Sequence, residues 1–255
     1  MPELPEVEWM RGAAQPVVGA VLRAVERRCA RLPALDALVG RRLDAVDRRG
    51  KSLLLRFADD TLLIEPRMTG RLLPCDVPAR HVRLRLEMDA PGLGVQLDDP
   101  RRLAVVVLDA SAAVDARMRS CPAPWPRPLS GAALAAALEG ARSSVKAALM
   151  DPRRVSGVGN IGASEACWRA GVDPGRRVDA LQPAEWDALG AGLYAWAAEA
   201  LAAIGSGPLQ LLHGGGANPF AVYGRAGAAC PRCAAVVVRS LDAGRSSFSC
   251  PGCQR

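Results

Sequence analysis

Pro2 and Glu3, at the start of the chain, form a pair of residues with the chemistry of a covalent catalyst. A small second residue normally allows removal of the initiator methionine, so we expect the mature chain to begin with the secondary amine of Pro2. An α-amino group has a pKa of about 7.7–8.0, which leaves a sizeable neutral fraction near pH 7. Such an amine attacks a sugar C1′ or an aldehyde to give an iminium, and the Glu3 carboxyl is placed to act as a general acid. Taken alone, the pair is far more typical of an ordinary processed N-terminus than of a catalyst.

Four cysteines near the C-terminus follow the spacing C-x2-C-x16-C-x2-C; they are Cys230, Cys233, Cys250 and Cys253. Two such knuckles separated by 15–20 residues are typical of a tetrahedral zinc site with four thiolate ligands. A closed shell of four protein ligands makes the expected Zn²⁺ structural. The alternative, a pair of disulfides, requires an oxidising compartment.

The other four cysteines are scattered singly along the chain, at Cys29, Cys75, Cys121 and Cys167. Without an export signal, isolated cysteines are typical of reduced side chains that fill the core as small hydrophobes. We therefore expect these four to be free and buried.

The composition is that of a soluble globular protein. Half of the 255 residues are hydrophobic and 23% are charged, which excludes a disordered polymer. No run of 18 apolar residues exists, and the acidic start Met1–Glu6 lacks the apolar segment of a signal peptide. These features exclude a transmembrane helix and favour a cytoplasmic protein.

The charge balance favours a polyanionic partner. Lysine and arginine number 33 against 26 acidic residues, which gives a net charge of +7. An excess of this kind is most often found in proteins that bind nucleic acid. Only Lys51 and Lys146 are lysines, so each of them stands out against the arginines.

The segment before residue 120 has the pattern of a β-sandwich or barrel with one flanking helix. A helix is expected from Leu4 to Val18, because Pro5 is favourable in a first turn. Short apolar runs bounded by turn residues predict the strands. These runs are Leu53–Phe57, Thr61–Ile64, Arg80–Met88 and Leu103–Leu108.

The second half of the chain is predicted to be helical and to end in a small hairpin. Residues 121–128 hold four prolines and predict a stiff linker. Residues 129–221 follow as a helix-turn-helix unit with a glycine-rich loop, and residues 222–255 as a zinc hairpin. The expected helices are Gly131–Glu139, Ser143–Met150, Asn160–Ala170 and Pro183–Ile204; the expected hairpin strands are Ala234–Arg239 and Ser246–Ser249.

The opening Met1–Glu8 resembles the signature start of formamidopyrimidine-DNA glycosylases, a family shared with endonuclease VIII. Further resemblances occur in the family's order along the whole chain. They are Arg49–Leu54 (the lysine-bearing strand), Met68–Gly70 and Asp99–Arg102 (two duplex-probing loops), Gly157–Ile161 (the helix–two-turn–helix turn), and Val222–Arg225 before the four-cysteine finger. The opening and Met68–Gly70 place the chain nearer the formamidopyrimidine branch.

This resemblance implies an α+β multi-domain fold: an N-terminal β-sandwich with a flanking helix, a helix–two-turn–helix domain and a C-terminal zinc-finger hairpin. It also implies a bifunctional DNA glycosylase and abasic-site lyase. Pro2 would attack C1′ and expel the base, and Glu3 would protonate the leaving sugar oxygen. Glu6 would support the site from the adjoining helical turn. Lys51 would be a third catalytic residue, which binds a phosphate flanking the lesion and assists proton transfer; its alternative interpretation is an ordinary surface lysine whose stem is buried.

The resemblance further implies how duplex DNA with a damaged base or an abasic site would be held by a monomer. Flipping a nucleotide out of the stack leaves a void, and apolar wedges with an arginine commonly fill it. The residues at the family's void-filling positions are Met68, Arg101 and Leu103. Asn160 and Arg245 are expected to contact phosphates, and Lys146 matches a family lysine near the site. Met68 and Leu103 are alternatively core residues, and Asn160 is alternatively a helix N-cap.

Several positions depart from the family pattern. Leu103 replaces a phenylalanine, Gly162 a tyrosine, and the lid segment Gly205–Ala221 is short and glycine-rich. The expected lesions are therefore ring-opened formamidopyrimidines, with 8-oxoguanine and oxidised pyrimidines left open. Two alternatives remain: a paralogue that binds abasic or distorted DNA without cutting it, and the same chemistry directed at a bulky adduct or cross-link.

Overall fold

The computed structural model describes residues 1–118, 121–205 and 218–255. These fall into two compact units, the first formed by residues 1–118 and the second by residues 121–205 with 218–255. Strands and helices are both abundant, and the expected α+β class, with its sandwich, helical domain and C-terminal hairpin, is confirmed. The finer division at residues 120, 128 and 221 stays a prediction.

The first unit is a sandwich of two antiparallel four-stranded sheets, with strand orders β1-β6-β7-β5 and β2-β3-β4-β8. Strands β3, β4 and β7 are buried along nearly their whole length, so the core lies between the sheets. The elements are α1 Leu4–Ala13, β1 Leu22–Arg27, β2 Ala45–Arg49, β3 Ser52–Phe57, β4 Asp60–Glu65, β5 Arg71–Pro74, β6 Val82–Met88, β7 Gly94–Asp98, β8 Val105–Ala110 and α2 Ser111–Arg117.

Helix α1 contacts β2 and β3 of one sheet and β5 of the other. Its expected extension to Val18 is wrong, because α1 ends at Ala13 and a short 3₁₀ turn, Gln15–Val17, follows. Pro16 explains the break, since proline has no N–H to continue the helical hydrogen bonds. The side chain of Met10 accepts a hydrogen bond from the backbone N–H of Leu72 at 3.5 Å, which ties α1 to β5.

The second unit contains a helical core and a two-stranded hairpin. Two sequence-predicted helices, α5 and α6, have the expected bounds, and Ser144 caps α4 through its Oγ, which accepts the N–H of Ala147 at 3.1 Å. The elements are α3 Gly131–Leu138, α4 Val145–Leu149, α5 Asn160–Ala170, α6 Pro183–Ile204, β9 Val238–Asp242 and β10 Arg245–Ser249.

The first hairpin strand begins four residues later than the sequence predicts. Residues expected to open that strand form the knuckle instead: the N–H of Ala234 donates to the carbonyl of Cys230, and the N–H of Cys230 to that of Ala235. The cysteine pair therefore determines the local backbone, and the β-ladder starts only at Val238.

Trp196 of α6 accounts for the glycine found where the family pattern has a tyrosine. A Cβ atom at Gly162 would lie 2.6 Å from the Trp196 ring, which is closer than real side chains approach. Trp196 itself is 2% exposed. The indole thus fills the space beside α5 and excludes any larger residue at position 162.

All eight cysteines are free, as expected, but burial was predicted wrongly for three of the scattered ones. Cys167 is fully buried on α5, whereas Cys29, Cys75 and Cys121 are partly exposed. Those three lie between regular elements, in connecting segments that run over the protein surface. No helix in the described part of the chain is long and apolar enough to cross a membrane.

Candidate active site and nucleic-acid interface

The start of α1 holds two carboxylates beside Pro2. Glu3 is the N-cap and Glu6 the third helical residue, and together they form a capping box. The N–H of Glu3 donates to Oε2 of Glu6 at 2.9 Å, so two backbone donors at the helix end are satisfied reciprocally. Glu3 and Glu6 are 3% and 2% exposed, and Pro2 is buried. The geometry that opens the helix therefore also positions the proposed acid and its support.

The electrostatics of the buried corner formed by residues 1–6 favour the neutral form of the terminal amine. Burial lowers the pKa of the Met1 α-amino group below its usual value of 8.0; the charges of Glu6 and Glu3 oppose this shift, and those of Lys51 and Arg101 reinforce it. The same burial, together with the charge of Glu3, raises the pKa of Glu6 to about 7. Glu6 thus exchanges a proton near neutral pH, beside the amine.

Lys51 reaches this corner because of the hairpin that carries it. Strands β2 and β3 pair from Arg49 opposite Ser52, so Lys51 lies in the turn between them. Arg48 anchors the turn to α1: its Nε donates to Glu8 at 2.7 Å and its Nη1 to the carbonyl of Gly50 at 2.9 Å. Lys51 is half-buried in this turn. Arg48 and Glu8 position the hairpin, and no local sequence signal identified them.

The three expected void-filling residues lie on two loops of the first unit and face outward. Met68 is 41% exposed, Leu103 is 42% exposed, and Arg101 is exposed as well. The alternative interpretation of Met68 and Leu103 as core residues is therefore wrong. Since apolar side chains of this size are costly to leave in water, their exposure suits residues that insert into another molecule.

In the second unit, Lys146 and Asn160 converge on one acceptor. The Nζ of Lys146 donates to the carbonyl oxygen of Ser246 at 2.8 Å, and the Nδ2 of Asn160 donates to the same oxygen at 3.1 Å. Ser246 follows Arg245, an exposed residue at the start of β10. Two helices of the second unit thus hold the hairpin strand that begins with the proposed phosphate-binding arginine.

Asn160 is not the cap of its helix. Gly159 occupies the N-cap position of α5, and Asn160 is the first helical residue. The N-cap alternative for Asn160 is therefore wrong. Glycine is an acceptable N-cap, and the arrangement leaves the amide of Asn160 available for the hairpin.

A second contact fixes the other strand of the hairpin. The hydroxyl of Ser144 donates to Oδ2 of Asp242 at 2.6 Å, and the oxygen of that hydroxyl also caps α4. Beside it lies a cleft of about 150 Å³ whose lining includes Lys146, Asp242 and Arg245. Lys146 and Arg245, both expected to bind DNA, therefore line the same small cleft.

The four C-terminal cysteines form a cluster suited to one metal ion. Their Sγ atoms all lie within 4.8 Å of one another, with Cys230 and Cys253 at 3.8 Å and Cys233 and Cys250 at 3.4 Å. Thiolates held about 2.3 Å from a tetrahedral zinc are separated by about 3.8 Å. The residues present therefore fit a metal centre, and the predicted ligand set is brought together.

Trp168 of α5 and three residues outside that helix support this cluster. The indole N–H of Trp168 donates to Sγ of Cys230 at 3.4 Å, and the guanidinium of Arg232 lies 4.4 Å from the Trp168 ring centroid. Gln254 accepts the N–H of Cys250 at 2.7 Å and donates to the carbonyl of Val172 at 2.8 Å. Hydrogen bonds of this kind orient metal ligands, and they also dock the finger on the helix.

Glu165 anchors the chain where it enters the finger. Its fully buried carboxylate accepts the consecutive backbone N–H groups of Ala221, Val222 and Tyr223 at 2.9–3.0 Å, and that of Arg169 Nη1 at 2.8 Å. Sequence reasoning missed this residue, because its three backbone partners lie more than fifty positions away. The expected lid falls mainly on residues 206–217, outside the described residues.

The fold and these site residues are those of the DNA glycosylases that carry a helix–two-turn–helix domain. Residues 1–106 match the formamidopyrimidine-DNA glycosylase N-terminal domain, and residues 121–208 match the formamidopyrimidine-DNA glycosylase H2TH domain. A formamidopyrimidine-DNA glycosylase of Geotalea uraniireducens (strain Rf4) is 40% identical over 271 residues, with 100% of both chains covered. The chain belongs to the formamidopyrimidine-DNA glycosylase family.

Two solved structures of Lactococcus lactis Fpg share the fold. A complex with abasic-site DNA has a TM-score of 0.84, 26% identity and 99% coverage of both chains. A complex with DNA containing an oxidised pyrimidine has a TM-score of 0.85, 26% identity and 100% coverage of both. The predicted partner, damaged or abasic DNA, is thus of the class bound by these relatives. Family membership confirms the predicted enzyme class, a DNA glycosylase and abasic-site lyase, acting in the repair of damaged bases.

Proposed function

We propose that this protein excises ring-opened formamidopyrimidines and other oxidised bases from duplex DNA and then cleaves the abasic site. The amine of Pro2 attacks C1′ of the flipped nucleotide, and the bond to the damaged base breaks. Glu3 protonates the ring oxygen of the opening sugar, which leaves an iminium between C1′ and the proline nitrogen. The iminium acidifies the C2′ proton, and its removal expels the 3′ phosphate by β-elimination; δ-elimination then expels the 5′ phosphate.

One observation carries this proposal: buried Pro2 lies beside a capping box of two buried carboxylates, and the amine of the preceding Met1 lies within the field of Lys51 and Arg101. Burial and the cations Lys51 and Arg101 lower the pKa of an amine there. A nucleophilic amine needs this environment, whereas a DNA-binding paralogue that does not cut does not need it. The role of Glu6 is to support the site by accepting the Glu3 N–H and by exchanging a proton near neutral pH.

The remaining expected site residues are proposed to bind the DNA. Met68, Arg101 and Leu103 fill the void left by the flipped nucleotide, and Lys51 binds a phosphate flanking it. Lys146, Asn160 and Arg245 bind phosphates around the hairpin they help to hold. We propose zinc as the metal of the four-cysteine cluster, because four thiolates in tetrahedral spacing suit Zn²⁺ in a structural role.

Borohydride is expected to trap the protein covalently on abasic-site duplex DNA. The reduction converts the iminium between Pro2 and C1′ into a stable amine, so a product of protein plus DNA strand appears on a denaturing gel. The control is duplex with a tetrahydrofuran analogue, which has no aldehyde and gives no adduct. Tight binding to the analogue without any trapped product from abasic DNA would favour the non-cleaving paralogue instead.

Formamidopyrimidines, oxidised pyrimidines and abasic sites are expected to be processed faster than 8-oxoguanine. The lid segment Gly205–Ala221 holds five glycines, and ordering such backbone into a tight purine cap is costly. A pocket without a hydrogen-bonding group against the two altered ring positions of 8-oxoguanine discriminates poorly.

Single-turnover excision on matched duplexes that differ only in the lesion tests this order. A rate on 8-oxoguanine opposite cytosine at least equal to the others would refute it. Excision confined to a bulky adduct or a cross-link would favour that alternative substrate class.

A further inference from the structure

The two loops that carry Met68 and Leu103 share a local strain. Arg67, next to Met68, has φ of 56°, and Arg102, next to Leu103, has φ of 54°. Non-glycine residues in this left-handed region are uncommon and persist only where their surroundings enforce the conformation. Each exposed apolar side chain is thus presented by a backbone that needs external support.

Asp99 supplies support to both loops at once. Its carboxylate, in a residue that is 1% exposed, accepts the hydroxyl of Thr69 at Oδ1 and the N–H of Ala104 at Oδ2, each at 2.8 Å. Thr69 follows Met68, and Ala104 follows Leu103. One buried carboxylate therefore bonds the residue next to each wedge.

Arg83 of β6 completes the arrangement from the sheet. Its Nη1 donates to Oδ2 of Asp99 at 2.8 Å and to the carbonyl of Ala104 at 3.3 Å. The side chain of Arg83 is only 6% exposed. A buried carboxylate with a cation and two further donors is rigidly oriented, because losing any partner leaves a buried polar group unsatisfied.

We propose that Asp99 is a positioning residue that couples the two wedge loops, so that Met68 and Leu103 enter the DNA stack as one rigid pair. This inference rests on the proposed function, in which these side chains fill the void. Asp99 is buried and acts through Thr69 and Ala104. Its effect is confined to the step that opens the stack, which an abasic nucleotide needs least.

The test compares Thr69→Val, which removes one donor to Asp99, with Thr69→Ser, which keeps it. A 2-aminopurine beside a formamidopyrimidine reports unstacking by its fluorescence. Thr69→Val is expected to slow the fluorescence rise and excision by about tenfold or more, while borohydride trapping on abasic DNA stays within about twofold of wild type. Thr69→Ser should restore the wild-type rates.

Thr61→Val is the matched control, because it removes another buried hydroxyl of this unit, which bonds Ser111 at 2.7 Å. The inference is overturned if Thr69→Val behaves like Thr61→Val, or if it lowers excision and trapping equally at unchanged melting temperature. If wild-type protein itself gives neither unstacking nor excision on any lesion, the proposed function fails instead. Asp99→Asn is a second variant and should reproduce the defect of Thr69→Val more strongly.

Discussion

A chain with an uncleavable peptide fused before Pro2 is expected to bind abasic DNA yet to give no covalent adduct with borohydride. The fusion keeps the nitrogen of Pro2 in an amide, whose lone pair is delocalised and does not attack C1′. The buried setting of Pro2 and Glu3 also leaves no route for a distant amine to replace it. Gel analysis of trapping and fluorescence anisotropy of binding measure the two properties separately.

The same peptide fused after Arg255 is the control and should leave trapping intact. Pro2→Gly should keep DNA binding and lose most base excision, since a primary amine forms an imine that must first be protonated to become an iminium. Full trapping by the N-terminal fusion would show that another group is the nucleophile.

The pH dependence of trapping follows from the same environment. Burial and the cations Lys51 and Arg101 lower the pKa of the terminal amine at this corner. We expect the same burial and charges to act on the Pro2 amine once Met1 is removed, so its neutral, reactive fraction is kept to lower pH and the trapping rate should reach half its maximum at a lower pH than for an exposed N-terminal proline. Removing the charge of Lys51 relieves part of this shift, so Lys51→Gln should move the midpoint upward.

Much of this architecture is accessible from local sequence, because short motifs and periodicity encode it. The cysteine spacing located the metal cluster, and the helical patterns located α5 and α6 with their observed bounds. The opening motif singled out Glu3 and Glu6, which the structure brings together in a capping box. In each case the residues concerned lie close in the chain or share a repeating pattern.

The supporting roles of Asp99 and Glu165 could not be predicted, because their hydrogen-bond partners are distant in the sequence. Asp99 meets Thr69 across thirty positions, and Glu165 meets Val222 across fifty-seven. A buried carboxylate looks like any surface acid until the donors around it are known. The filling of the space at Gly162 by Trp196 and the exposure of Cys121 likewise depend on packing that no local pattern contains.

Removal of the metal is expected to abolish DNA binding while the first unit stays folded. The hairpin of residues 222–255 buries little apolar surface, so its fold depends on metal-binding free energy, which is about 10–16 kcal/mol for small zinc sites. Its loss displaces Arg245 and removes the Ser246 carbonyl that orients Lys146 and Asn160. The DNA contacts of Arg245 and Lys146 are charge-assisted and contribute about 1.5–3 kcal/mol each, so losing both weakens binding about a hundredfold or more.

The matched pair for this experiment is Cys250→Ser, which removes a buried ligand of the cluster, against Cys75→Ser, which alters a partly exposed cysteine of the first unit. Elemental analysis should find one zinc per chain in wild type and Cys75→Ser, and none in Cys250→Ser. Anisotropy on an abasic-site duplex and circular dichroism then separate lost binding from global unfolding. Because the sandwich has its own core, its thermal transition should remain in Cys250→Ser. Active wild-type protein without any bound metal would contradict this account, since the hairpin would then hold Arg245 in place by packing alone.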